Sequence, residues 1–177
     1  RLPRVAAGAP PEAVLLNTAG GLTGGDRMRW TVEVEANAAA LVTSQAAERV
    51  YRRSSGVAEV ETTLTVGPGG RLDWLPQETI VFDRSALSRR LVADIDGTAR
   101  LLALEVFVLG RTAMGETVRD ALVADTWRIR RDGRLVFADS LRLDGDAKAV
   151  MAGPSNGPWP PRVATSPPFS PAAGTPH

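Results

Sequence analysis

The chain has 177 residues, of which 44% are hydrophobic and 23% charged, with a formal net charge of +1; this length suits one globular domain, and the charge predicts no attraction to nucleic acid or an anionic membrane. It contains no cysteine, and its one histidine is the last residue, His177, which excludes disulfide bonds, thiolate metal sites, cysteine nucleophiles and histidine-based catalysis in the folded part. No apolar run reaches the roughly 18 residues that span a bilayer, and no signal peptide is visible, so we expect a cytoplasmic protein.

The clearest pattern is alternation of apolar and polar residues with a period of two. Residues 27–35 and 58–66 both follow it. Such segments are typical of strands with one buried face and one solvent-facing face. A turn rich in glycine and proline at residues 67–70 leads from the second segment to a short strand at residues 71–74.

Further strand segments follow in the second half of the chain. Residues 87–95 alternate, and the Asp-Gly pair at 96–97 leads into residues 99–109. The clearest hairpin covers residues 127–143, with a second Asp-Gly pair at 132–133. Because turn signals recur about every ten to fifteen residues, the sequence predicts an all-β fold, mainly antiparallel, as a sandwich or a solenoid.

Two segments show a weak helical tendency, and the C-terminal part differs from the rest. Residues 44–51, behind an N-capping Thr43 or Ser44, and residues 113–123 predict at most two short helices. From residue 152 onward the chain is rich in proline and almost free of charge. We therefore expect a β domain over residues 1–151 and a disordered tail over residues 152–177.

The arginines cluster at three places, which are residues 52–53, 89–90 and 128–131. They are interleaved with carboxylates and lack the aromatic partners of a base-stacking surface. This arrangement favours solvated strand faces over a nucleic-acid interface.

A glycine cluster at residues 20–25 invites interpretation as a phosphate-binding loop. A Walker loop requires Lys and then Ser or Thr after the last glycine, but here Asp26 and Arg27 follow. The dinucleotide fingerprint fails too, because a strand and not a helix comes next. The pattern favours a backbone role, with positive φ or close approach of two chain segments, and leaves open a binding surface at the same loop.

Two groups of carboxylates are candidates for a chemical role. Glu78 and Asp83 lie in otherwise apolar sequence, where they could act as a general acid and base or serve local backbone hydrogen bonds in a bulged strand. Glu105 lies in a segment that is apolar on both faces, so its strand is predicted to be covered on both sides. Such a carboxylate needs a partner, either Arg111 or another arginine, or it lines an interior water path where a divalent cation would favour its charged form.

Five segments, in order, resemble motifs of the UreD (also called UreH) urease accessory proteins. They are LLNTAGGLTGGDRM at residues 15–28, TSQAAERVYR at 43–52, WLPQETIVFDRSAL at 74–87, EVFVLGRTAMGE at 105–116 and WRIRRDGRLVFADSLRLD at 127–144. The third is the most specific, because Pro-Gln-Glu-Thr is rare in other β contexts; in the second, Arg49 replaces a common lysine. The resemblance covers residues 14–154 and is that of a truncated member, since the family has further strands on both sides.

The resemblance implies a fold and a function. The family fold is a β-sandwich with helically wound strands, and its members are non-catalytic scaffolds that bind UreF, recruit UreG through UreF, dock on apo-urease and assist nickel insertion. We therefore expect a hetero-oligomeric protein with no tightly bound cofactor, no catalytic residue and nickel only in transit. The candidate carboxylates for that transit are Asp26, Glu78, Asp83, Glu105 and Glu116.

Two other hypotheses remain at this point. One is a generic β-sandwich interaction module unrelated to nickel. The other is a carboxylate-dependent hydrolase that uses Glu78 and Asp83.

Overall fold

The computed structural model describes residues 9–111, 115–147 and 149. Twelve strands form in this part of the chain. They are β1 (Glu12–Leu15), β2 (Arg27–Val34), β3 (Ala39–Ser44), β4 (Glu48–Val50), β5 (Ala58–Val66), β6 (Arg71–Trp74), β7 (Thr79–Val81), β8 (Ala86–Ile95), β9 (Arg100–Ala103), β10 (Phe107–Leu109), β11 (Ala121–Arg131) and β12 (Arg134–Gly145).

The strands wind into a solenoid with three sheets along its sides. Sheet A has the order β1-β3-β6-β9, sheet B the order β4-β7-β10, and sheet C the order β2-β5-β8-β11-β12. The first coil has strands in sheets A and C, with a single bridge from Leu22 to Val50 of β4, and each later coil passes through sheets A, B and C in turn. Equivalent residues of successive coils therefore stack in register. Trp30, Thr62, Leu91 and Trp127 form one such row in sheet C. The architecture is that of a β-solenoid, in which each coil contacts its neighbours.

The all-β prediction is confirmed, and so is the helical winding of the strands, but the mainly antiparallel sandwich is wrong. Within the described residues, every strand pairing is parallel except that between β11 and β12. The turns at residues 67–70 and 96–97 carry the chain around a corner from sheet C to sheet A, and they do not reverse it within one sheet. A turn sequence encodes a change of direction and does not encode the strand that pairs next.

The second Asp-Gly pair does form the predicted hairpin. Asp132 and Gly133 have φ angles of 50° and 74°, as a two-residue type I′ turn requires at both central positions. The hairpin caps sheet C with β12, the one strand that runs against its neighbour in this part of the chain.

Neither predicted helix forms in the described residues. Residues 44–51 include the end of β3 and all of β4. The backbone of β4 pairs with β7, so its hydrogen bonds are made within a sheet and not within a helix. Residues 115–123 form a loop and the start of β11, while 112–114 lie outside the described residues. Among the residues that the structure describes, helical conformation is found at Ala147 and Ala149 alone, and none of it is long and apolar enough to cross a membrane. The predicted tail at 152–177 lies outside the described residues.

The period-two pattern determines which side chains enter the solenoid. In β5, the apolar residues and Thr62 are buried, and the alternate residues are exposed along the whole strand. On the outer face of sheet C, charges pair across adjacent strands, as in Arg27–Glu59 at 3.0 Å and Arg29–Glu61 at 2.8 Å. The main interior cluster joins sheets A and C and consists of Val34, Val42, Leu64, Val66, Leu72, Trp74, Leu91, Ala93, Ile95 and Ala99.

The glycine cluster has the backbone role that its sequence favoured. A Cβ on Gly24 would overlap the carbonyl oxygen of Ser55 on the next coil. Gly21 has a φ of 152°, and a Cβ there would meet the ring of Tyr51. Asp26 closes the loop, since its Oδ2 accepts a hydrogen bond of 2.8 Å from the backbone N–H of Thr23. Glycine thus permits the first two coils to approach each other closely.

Candidate functional site

A half-open cavity of about 250 Å³ lies between the first three coils, and Glu105 of the fourth coil contributes to its wall. Trp30, Leu22 and Leu87 supply apolar wall, whereas Glu105 and Arg89 bring charge to it. Apolar interior space of this size usually stays dry, but a cavity with charged and amide groups on its wall can hold water. The polar lining makes this cavity the leading candidate for a functional site.

Glu48 and Arg49 also bring charge to the wall, but Arg89 and Glu105 belong, with Asp125, to a buried three-residue network. Arg89 donates hydrogen bonds from Nε and Nη2 to the two carboxylate oxygens of Asp125, both at 3.0 Å. Glu105 Oε2 lies 3.0 Å from the same Nη2. The side chains of Arg89, Asp125 and Glu105 are 7%, 10% and 5% exposed. Two carboxylates therefore share one guanidinium in a place with little water.

The solenoid register brings these residues together. Arg89 on β8 and Asp125 on β11 are direct partners in parallel strands. Glu105 enters from the connection between β9 and β10. Because the three side chains point inward from separate segments of two successive coils, no local sequence motif contains the network.

Aromatic side chains complete the surroundings of the network. Trp74 Nε1 donates to Glu105 Oε1 at 2.9 Å, and Trp127 Nε1 donates to Asp125 Oδ2 at 3.1 Å. The guanidinium carbon of Arg89 lies 4.1 Å from the centre of the Phe107 ring. These contacts fix the positions of the charged groups, as buried polar networks require.

One oxygen of Glu105 is left over. Glu105 Oε2 is paired with the charge of Arg89, whose Nη2 lies 3.0 Å away and donates to Asp125, but this oxygen accepts no well-aligned hydrogen bond from the described residues. Burial raises the pKa of Glu105, and the charge of Asp125 raises it further, while Arg89 and the Trp74 hydrogen bond lower it. Binding of a proton or a cation to Glu105 would therefore offset the cost of burying its negative charge.

We expect Glu105→Gln to change the pH dependence of stability with little effect on stability at neutral pH. The amide oxygen can still accept from Trp74, and the Arg89–Asp125 pair persists, so the change at pH 7 should stay within about 1 kcal/mol. Because the pKa of Glu105 is raised in the folded protein, protonation of Glu105 stabilises the fold. This contribution to the free energy of unfolding is fully present below pH 4.5, the ordinary pKa of the group. That stability is lost as the pH rises through the higher folded value.

Urea denaturation at a series of pH values from 4.5 upward would test this expectation. The wild type should lose part of its free energy of unfolding over that range, and Glu105→Gln should lack that part. Asp83 and Asp96 have lowered pKa values, so their effects lie below their ordinary value of 3.8 and do not overlap. Superimposable pH profiles for the two proteins would contradict the assignment.

The prediction for Glu105 is confirmed in one respect and corrected in another. Glu105 does meet a buried arginine, and it also lines the half-open cavity. The partner is Arg89, because Arg111 pairs instead with Glu116 at 3.1 Å. The strand segment is not covered on both sides in the described structure, since Leu102 and Leu104 are 54% and 55% exposed.

The other four candidate carboxylates do not join Glu105. Asp26 closes the glycine loop, and Glu78 is half-buried beside β7, with its carbonyl accepting from Glu48 N at 2.9 Å. Neither they nor Asp83 and Glu116 line the cavity. Across residues 9–111 and 115–147, no group of three or more carboxylate or histidine side chains is placed to hold a metal ion.

Asp83 and Glu116 serve the backbone of the loop before β11. Asp83 Oδ1 accepts from the N–H groups of Arg119 and Asp120 at 2.7 and 3.0 Å, and these bonds lower the pKa of Asp83. Glu116 accepts from the N–H of Asp83 at 3.5 Å and from Arg111. Asp83 is therefore held ionised, which does not suit a general acid.

Sequence analysis missed Arg89 and Asp125. The interpretation of the arginine clusters as solvated faces is wrong for Arg89, which is buried. A signal was present, because Arg89 lies two residues from Leu87 and Leu91 and so shares their buried face. Asp125 follows Val123 in the same way on β11.

Comparison with known proteins places the chain in a family. The model of the UreD urease accessory protein family matches residues 1–159. The chain belongs to the UreD family. The resemblance of its five sequence motifs is thereby confirmed.

Individual UreD relatives are also similar. The urease accessory protein UreD of Rhizobium rhizogenes is 57% identical over 141 residues, covering 80% of this chain and 52% of the relative. UreD 3 of Methylorubrum extorquens is 54% identical over 151 residues, covering 85% and 51%. The chain thus spans about half the length of these curated relatives. Their names describe an accessory protein of urease, which agrees with the prediction that the chain is not an enzyme.

Proposed function

We propose that the chain is a non-catalytic scaffold of urease maturation that assists delivery of nickel to apo-urease. In this proposal it binds UreF, which brings UreG, and it docks on apo-urease in a cytoplasmic hetero-oligomer. UreD family membership and the names of the relatives support the maturation role. Nickel is cargo here and not a resident cofactor.

The observation that carries the nickel part of the proposal is the position of Glu105. Its side chain is buried, lines the cavity and keeps one carboxylate oxygen without a hydrogen bond from the described residues. Its neighbour Arg89 is committed to Asp125 by two hydrogen bonds. A divalent cation in the cavity would gain this carboxylate as a ligand and offset the cost of its burial.

The side chains that could act as ligands suit the passage of nickel better than its tight binding. Nickel binds most tightly to imidazole and thiolate groups, and the chain has no cysteine and no histidine before residue 177. Oxygen ligands from Glu105 and from polar wall groups such as Asn17 and Gln45 would hold the ion weakly. A weakly held ion can be passed on to apo-urease.

The two other hypotheses lose support. The hydrolase would need Glu78 and Asp83 in one pocket, but neither lines the cavity, and the carboxylate of Asp83 accepts two backbone hydrogen bonds. A generic interaction module would explain neither the buried Glu105 nor the match to the UreD family over residues 1–159.

Urease activation in cells tests the proposal. The chain would be co-expressed with urease and the remaining accessory proteins in a host that lacks its own UreD, and urease activity would be followed over time. We expect Glu105→Gln to slow activation several-fold, with UreF binding and thermal unfolding unchanged. The matched control is Glu59→Gln, which removes an equal charge from the outer face of sheet C.

The outcomes separate the parts of the proposal. A chain that neither supports activation nor binds UreF or apo-urease would contradict the scaffold role. A chain that supports activation equally well with Gln at position 105 would contradict the role of Glu105 in nickel passage and leave the scaffold role intact.

A further inference from the structure

Arginines from successive coils stack at the corner where sheet B leads into sheet C. Arg52 and Arg53 follow β4, Arg84 follows β7, and Arg119 precedes β11. Backbone hydrogen bonds tie these positions together, since Arg53 N donates to the carbonyl of Arg84 and Arg84 N donates to the carbonyl of Asp120. Neighbouring coils lie about 4.8 Å apart, so the winding of the chain places like charges side by side.

These arginines lack the compensation found elsewhere on the surface. On the outer face of sheet C, Arg27 and Arg29 pair with glutamates of the next strand. At the corner, by contrast, Arg52, Arg53 and Arg119 form no ion pair with any described residue. Like charges on adjacent strands are destabilising unless something else neutralises them.

Two of the nearby carboxylates, Asp83 and Glu116, are already engaged. Asp83 accepts from two backbone N–H groups, and its contact with Arg84 is long, at 3.9 Å. Glu116 pairs with Arg111 and is only 20% exposed. Asp120 is exposed beside Arg84 and Arg119. Five arginines nevertheless face three carboxylates at this corner, which therefore keeps a net positive charge.

An aromatic pair lies at the centre of this corner. Tyr51 is 40% exposed and stacks on Phe82 with ring centres 5.1 Å apart. The guanidinium carbon of Arg111 lies 4.8 Å from the centre of the Phe82 ring. Tyrosine and arginine in fixed positions are the residues that most often dominate the binding energy of protein interfaces.

We propose that this arginine corner, formed by Tyr51, Arg52, Arg53, Arg84, Arg111 and Arg119, is the docking surface for an acidic surface of a partner protein. The inference rests on the proposed scaffold function and assigns its contact to one place on the chain. A carboxylate-rich partner would neutralise the stacked charges, and arginine forks would bind its carboxylates bidentately.

Nucleic acid fits the corner less well. Among the described residues of this corner, Tyr51 alone offers an exposed ring for base stacking, whereas nucleic-acid-binding surfaces use several.

The test is a charge reversal, Arg52→Glu with Arg84→Glu, measured against UreF and against apo-urease by surface plasmon resonance. We expect the Kd for one partner to rise by about tenfold or more, and the wild-type affinity to fall as salt is raised. The matched control, Arg100→Glu with Arg134→Glu, makes an equal charge change at two exposed arginines near the opposite corner, and it should leave the Kd within about threefold.

A second variant controls for misfolding of the charge-reversed protein. Arg52→Gln removes one exposed charge without introducing a repulsive one, and it should weaken the same binding by a smaller factor with an unchanged Tm. Each Kd is compared only between proteins whose Tm values agree.

The outcomes distinguish this inference from the proposed function. If the wild type binds UreF or apo-urease and the reversed and neutralised variants bind equally well, the inference is overturned while the scaffold function stands. If the wild type binds neither protein, the scaffold function fails and the inference falls with it. If the reversal abolishes binding to a labelled single-stranded DNA and spares protein binding, the corner is a nucleic-acid site and the inference is overturned.

Discussion

Replacing Arg89 with leucine is expected to lower the free energy of unfolding by about 3–5 kcal/mol, the usual cost of breaking a buried ion pair. Arg89 is the single cation between Asp125 and Glu105, and all three side chains are at least nine-tenths buried. Its loss leaves two carboxylates close together in the solenoid interior. Urea denaturation at pH 7 would measure the change.

The same variant should recover stability as the pH falls. Arg89 lowers the pKa of Glu105, so its removal raises that pKa further and favours the protonated form of the buried carboxyl. Stability from that proton is present at low pH and lost as the pH rises. Arg89→Lys keeps the charge but loses the two-pronged contact with Asp125, and an intermediate loss is expected.

Arg29→Leu is the matched control for this prediction. It removes an arginine from a surface pair with Glu61, where the loss should not exceed about 1 kcal/mol. Equal losses for the buried and the exposed variants would show that the interior network does not hold the coils together.

Gly24→Ala should cost about 2 kcal/mol or more, at the upper part of the range for overpacking. A Cβ at this position would overlap the carbonyl oxygen of Ser55 and lie 3.0 Å from the Cβ of Arg53. The obstacle is backbone of the next coil, which cannot move without disturbing the stacking of coils. Thermal and chemical denaturation would both report the loss.

Gly20→Ala provides the comparison within the same loop. Gly20 has a φ of 76° with open space around it, so alanine there costs only the left-handed conformation, roughly 1–2 kcal/mol. If Gly24→Ala proves no more destabilising than Gly20→Ala, close approach of the coils is not the reason for glycine at position 24.

The sequence by itself determined the local structure and the family. The alternation in residues 58–66 identified both the strand and its buried face, because a period of two is a property of the extended backbone. The Asp-Gly pair at 132–133 identified a hairpin, since few residues adopt positive φ at both central positions. The ordered motifs identified the UreD family. The exclusions from the lack of cysteine also came from composition.

Only the tertiary structure decided the direction of strand pairing and the place of the charged residues. Alternation gives the same pattern in parallel and antiparallel strands. The two strands that pair with β5, which are β2 and β8, each lie a whole coil away in sequence. The turn at 96–97 has the composition of a hairpin, yet it leads to another sheet. Pairing at such distances is selected by how the coils stack, and no local turn records it.

The candidate site divides in the same way. Glu105 was singled out from sequence because an isolated carboxylate in an apolar segment must have a partner. Its partner Arg89 could be identified only once β8 and the β9–β10 connection were placed around one interior space. Asp83 and Glu116 were equally plausible ion ligands in sequence, but the solenoid places them at a corner where backbone N–H groups use their oxygens. Composition supplies the charges, and the stacking of coils decides which of them are buried together.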